Sequence, residues 1–89
     1  MQIEARIHKA LDCLDLPTLI TKSDIKKRYR QLARACHPDL NQEERGKMAR
    51  INESYAVLME YIESFRYTFD TDEIVKQYPG AAHAKKFEP

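Results

Sequence analysis

His37, Pro38 and Asp39 place an imidazole and a carboxylate on either side of a rigid proline, the most chemically suggestive tripeptide in the chain. As a catalytic pair, the histidine would serve as general base and the aspartate would orient it. No serine or cysteine nucleophile is placed beside them, because Cys36, though adjacent, falls on an apolar stripe that predicts burial. As metal ligands they supply two donors at most, and His8 and His83 lie in unrelated segments without ligand spacing. On residue types alone the tripeptide reads as an exposed, proline-containing connection between helices.

Immediately before it, Lys22, Lys26, Lys27, Arg28, Arg30 and Arg34 stand against a single acid, Asp24. At 100° per residue, Lys26, Lys27, Arg30 and Arg34 share one contiguous helical face beside the apolar stripe. Such a face is commonly left to solvent, and where it has a partner, an acidic protein surface or a phosphate backbone would suit it. Neither an exposed aromatic platform nor a base-reading motif accompanies it, which disfavours nucleic acid. The formal net charge of +1 likewise removes the overall basic bias of a general nucleic-acid binder.

These residues must be positioned by very little protein. Eighty-nine residues, 43% hydrophobic and 33% charged with two Gly and four Pro, suit one small helical domain without a large cleft. Cys13 and Cys36 are too far apart for a CxxC pair and too few for a disulfide scaffold, so both are expected as core thiols in a reducing compartment. No apolar run approaches the roughly 20 residues a membrane span needs, and the start MQIEARIHKA mixes charge and hydrophobe unlike a signal peptide. The expected location is cytoplasmic, with neither membrane nor nucleic acid as partner.

Apolar residues at Ile3, Ile7, Ala10, Leu11 and Leu14 predict a first amphipathic helix, interrupted at Leu16-Pro17-Thr18. A connector runs to about Thr21, which with Asp24 has the form of a capping box. Ile25, Tyr29, Leu32, Ala33 and Cys36 then predict a second helix over residues 22–36, stopped by Pro38. Asn41 and Glu44 form another cap-like pair, and Met48, Ile51, Tyr55, Leu58 and Ile62 predict a third helix over residues 43–61. Phe65, Tyr67 and Phe69 alternate, compatible with a strand, a helix end or an extended segment. Asp70-Thr71-Asp72-Glu73 resembles a further helix start leading to Ile74, Val75 and Tyr78. The apolar content of this tail predicts that it packs in part on the core, with a frayed end beyond Pro79-Gly80.

The stretch LDLPTLITKSDIKKRYRQLARACHPDLN, followed by ARINESYAVL, resembles the J domain of DnaJ-type co-chaperones over about residues 5–67. That family's pattern is a leucine-rich first helix, a basic second helix of IKKxYRxLA type, an HPD loop and a third helix ending INEAYxVL. The resemblance implies an all-α fold in which the second and third helices lie antiparallel, joined by the HPD loop. The domain would occupy residues 1–69 and be followed by an extension over residues 70–89. It also implies that His37, Pro38 and Asp39 engage a DnaK-type heat-shock ATPase and stimulate its ATP hydrolysis, with no enzymatic activity, metal or cofactor in this chain.

Tyr29, Arg30, Lys26 and Asn41 match partner-facing positions, joined by Lys27 and Arg34 of the basic face, whereas Leu11, Leu14, Ile25, Leu32, Ile51, Tyr55 and Leu58 match the core. Family members usually carry Gly where Asp15 stands, an aromatic where Cys36 stands, and often Arg where Gln31 and Leu40 stand. The connection after Asn41 is shorter than is typical, and the basic motif of the bacterial DnaJ final helix is not recognisable. The alternative function is a docking module of J-like fold that activates no ATPase, with residues 70–89 contacting other proteins, client proteins among them.

Overall fold

The computed structural model describes residues 2–36, 42–78 and 80. They form α1 (Ile3–Cys13), α2 (Lys22–Ala35), α3 (Gln42–Glu63) and α4 (Thr71–Gln77), with no strand among the described residues. The protein is therefore all-α. His37, Pro38, Asp39, Leu40 and Asn41 lie outside the described residues, as does the proposed Asn41 cap.

The helix starts and stops follow local chemistry. The Asp24 amide donates to Thr21 Oγ1 at 3.1 Å, so the threonine caps α2 as its spacing predicts. α2 ends at Ala35, and Cys36 is already extended at φ −97° and ψ 131°. At the end of α1, the Asp15 amide donates to the Asp12 carbonyl at 3.0 Å and the Leu16 amide to the Leu11 carbonyl at 2.9 Å. That pair of bonds is a Schellman closure, which needs a left-handed residue, and Asp15 supplies it with φ 56°. A short polar side chain tolerates this conformation better than most, though less well than glycine. α3 begins one residue earlier and ends two residues later than its apolar spacing predicts, within the ordinary uncertainty of helix ends.

The core is one layer of side chains between α1, α2 and α3. Ala10, Leu11, Leu14, Ile25, Ile51 and Leu58 are buried together, Leu14 completely. Ile7, Leu16, Ile20, Tyr29, Leu32, Met48, Tyr55 and Ile62 are half-buried against them. α2 and α3 run antiparallel, because Lys22 at the start of α2 meets Glu63 at the end of α3, while Cys36 just past α2 meets Glu44 near the start of α3. Cys36 is buried as expected. Cys13 is not a core thiol: it is exposed, its Sγ 3.6 Å from the Arg50 carbonyl, because it lies about 100° round the helix from Leu14.

Beyond α3 the chain buries less than its composition predicts. Residues 65–70 are irregular rather than a strand, and α4 buries no side chain. Tyr67 is 71% and Phe69 83% exposed, and Phe65 makes ring contacts with its chain neighbours Tyr61 and Tyr67.

Two outcomes follow from these contacts. Asp15→Gly should hold or raise the melting temperature, since its ion pair with Arg28 is long at 3.8 Å and the aspartate side chain is 91% exposed. Asp15→Val should destabilise by about 1–2 kcal/mol, because a β-branched residue resists the left-handed region. Equal melts for both variants would contradict the role given to φ at this position. Separately, the Lys22 ammonium beside Glu63 holds that carboxyl below the usual range, and the carboxylate in turn raises the lysine. The tie is thus complete between the two ranges, fading as pH falls through the lowered carboxyl value or rises through the raised lysine value. In an NMR titration, Lys22→Met should move the Glu63 midpoint upward, and an unmoved midpoint would show that the pair does not form.

Candidate protein-binding surface

The six cations of α2 divide into two sets. Lys22 is paired with Glu63 across to α3. Arg28 turns toward α1, where its Nε donates to the Leu14 carbonyl at 2.9 Å and its Nη2 lies 3.8 Å from Asp15. A guanidinium there satisfies a carbonyl at the C-terminal end of α1 and complements the negative end of its dipole. Lys26, Lys27, Arg30 and Arg34 are exposed and have no ion pair among the described residues. Lys26, Arg30 and Arg34 succeed one another at i, i+4 and i+8, a row of like charges about 12 Å long that each repeat slightly destabilises. A row of like charges of this kind weakens its own helix a little and leaves its charge directed outward.

Tyr29 sits at the edge of that face and is tied to α3. Its ring stacks on Tyr55 with centroids 4.1 Å apart and planes 17° from parallel. Its hydroxyl donates to Asn52 Oδ1 at 2.6 Å. The half-buried position of Tyr29 thus combines a packed ring with a hydroxyl at the surface. Sequence reasoning had no role for Asn52, or for Arg28 as an α1 contact. The signal for Asn52 was its place three residues before Tyr55 on α3, which puts both on one side of the helix.

Of the residues picked out from sequence, α2 brings together Lys26, Lys27, Tyr29, Arg30 and Arg34. His37, Pro38, Asp39 and Asn41 lie outside the described residues, between Cys36 and the start of α3 at Gln42. Gln31, at a position where the family often has arginine, is exposed 3.5 Å from Arg28 Nη1 and adds no charge.

Burial, then a hydrogen bond to Glu44 and that residue's negative charge, push the Cys36 thiol up, away from a reactive thiolate. Among the described residues no group of three or more His, Cys, Asp or Glu could hold a metal ion. One groove, about 380 Å³, lies between α1, the connector and the end of α3, lined by Ile3, Ile7, Leu11, Ile25, Leu58 and Ile62 among others. None of the four exposed α2 cations lines it. The basic face is convex, and a convex charged helix recognises a surface rather than a small molecule. No helix of the described residues is long and apolar enough to cross a membrane.

Comparison with known proteins gives this surface a family. The DnaJ domain model matches residues 9–70. Over 56 residues the chain is 38% identical to the DnaJ-like protein MG002 homolog of Mycoplasma pneumoniae, covering 63% of this chain and 18% of that protein. Over 47 residues it is 47% identical to Chaperone protein DnaJ 2 of Thermus thermophilus, covering 51% of this chain and 17% of that protein. The chain therefore spans less than a fifth of either relative. No solved structure matches significantly. A family match across most of the chain, on an all-α fold whose second helix carries the IKKxYRxLA pattern ahead of HPD, means that this chain belongs to the DnaJ domain family.

Proposed function

We propose that this domain is a co-chaperone that binds a DnaK-type heat-shock ATPase and stimulates its hydrolysis of ATP. The observation that carries the reading is the row of exposed cations on a convex α2, without an ion pair among the described residues, in a DnaJ domain whose next segment is HPD. Lys26, Lys27, Arg30 and Arg34 steer and orient the domain against an acidic surface of the ATPase. Tyr29 and Asn41 add contacts at the edge, and His37, Pro38 and Asp39 deliver the stimulus. The domain itself hydrolyses nothing; it supplies binding energy that favours the hydrolytically competent state of its partner. Two free cysteines suit a reducing, cytoplasmic setting. The exposed apolar side chains of Ile74 and Tyr78 favour a second use for the extension over residues 70–89, as a contact for client proteins.

Charge and loop can be tested separately. The double variant Lys26→Gln, Arg30→Gln should melt no lower than wild type, because it removes a like-charge i, i+4 pair worth a few tenths of a kcal/mol. The same variant should need a higher concentration for half-maximal stimulation of ATP turnover, and added salt should reproduce part of that loss in the wild type. Undiminished stimulation would remove the basic face from the mechanism. His37→Gln and, independently, Asp39→Asn should each abolish most stimulation while keeping a normal circular-dichroism melt. Leaving one member of an interface pair unpaired costs roughly 2–5 kcal/mol. A folded His37→Gln protein with full stimulation would leave the domain as a docking module only.

A further inference from the structure

Asn52 has no part in the proposed function, yet its side chain is tied across the α2–α3 seam. It is exposed on α3 and accepts the Tyr29 hydroxyl proton at 2.6 Å. Tyr29 in turn cannot swing away freely, because its ring is stacked on Tyr55 at 4.1 Å. Two independent contacts therefore fix one phenol: the stack sets the plane of the ring, and Asn52 sets the direction of the hydroxyl hydrogen.

A phenol has one proton to donate and lone pairs to accept with. With that proton directed to Asn52, the outward side of the Tyr29 oxygen is an acceptor alone. The asparagine amide nitrogen beside it is a donor group on the exposed side chain. Lys26, about one helical turn before it on α2, and Arg30, next to it in sequence, are donors only. The Tyr29 oxygen thus introduces an acceptor at the edge of a face otherwise made of cations.

Resting on the reading of α2 as the ATPase-binding surface, we propose that Asn52 is a positioning residue for that interface. It holds the Tyr29 hydroxyl as a hydrogen-bond acceptor for a donor group on the partner. It acts through Tyr29. Its loss frees the hydroxyl to rotate, so that the acceptor must be ordered anew each time the partner binds.

The test is a double-mutant cycle on the full chain, reading the concentration that gives half-maximal stimulation of steady-state ATP turnover by a DnaK-type ATPase. Asn52→Ala and Tyr29→Phe should each raise that concentration by about three- to ten-fold, the range of one neutral hydrogen bond. The maximal turnover at saturation should stay unchanged. Combining them should give no more than Tyr29→Phe alone, because Asn52 has nothing left to orient. A merely structural asparagine would lower the melting temperature and add its effect to that of Tyr29→Phe, and that result overturns the proposal. So does an Asn52→Ala protein with the wild-type concentration dependence. Because Asn52 is exposed, folding of the variants is checked by their melts, and Asn52→Ser, which retains a shorter acceptor, should fall between alanine and wild type. Absence of stimulation by the wild-type chain would overturn the functional reading and this proposal with it; stimulation with additive single effects would overturn the proposal only.

Discussion

Everything on the surface of this domain depends on one buried seam along α3. Ile51 and Leu58, two helical turns apart, are buried on it, and against them come Ala10, Leu11 and Leu14 from α1 and its end and Ile25 from α2. Each fully buried aliphatic side chain contributes about 1.5–3 kcal/mol, so a handful of such residues carries much of the stability of a chain this short. Because α3 is the common partner, it fixes α1 and α2 relative to each other. The polar ties confirm that division of labour: Lys22 to Glu63, Tyr29 to Asn52 and Cys36 to Glu44 all run from the α2 segment to α3, at its end, middle and start.

The same geometry explains why the charge on α2 is available. Once Ile25, Tyr29, Leu32 and Cys36 face inward, the cations between them must lie on the flank or the outer side of the helix. Arg28 and Lys22 reach neighbouring elements and help to hold the helix ends together. Lys26, Lys27, Arg30 and Arg34 form no ion pair among the described residues, and their mutual repulsion is tolerated because the seam, not helix propensity, holds α2 in place. Such a face offers shape and sign, and under the proposed function these steer the domain toward an acidic protein.

Much of this was legible from the residues. The three long helices follow from apolar spacing, the α2 cap from Thr21 and Asp24, and the identity of the exposed cations from their angle to Ile25 and Tyr29. HPD was legible only through its neighbours, since an imidazole and a carboxylate beside proline have no specific chemistry by themselves. Asp15 stands where the family usually has glycine, and its positive φ supplies the physical reason. What could not be read was anything needing the register of one helix against another. The Tyr29 to Asn52 bond and the contact of Arg28 with the end of α1 arise only once the helices are docked. Cys13 failed because its type suggested burial while its angle did not. For residues 65–78, apolar content shows a tendency to pack without showing which face would receive it, and α4 buries no side chain.

The central claim is that α2, and not the extension, is the face that meets the ATPase. Its most direct test is to titrate the isotope-labelled domain with a DnaK-type ATPase in its ATP-bound state and follow every backbone amide by NMR. Shifts and broadening concentrated on residues 26–34 and the adjoining loop, with Tyr67, Phe69 and α4 unmoved, are the predicted result. Perturbation confined to residues 65–78, with Lys26, Arg30 and Arg34 unchanged, would contradict it.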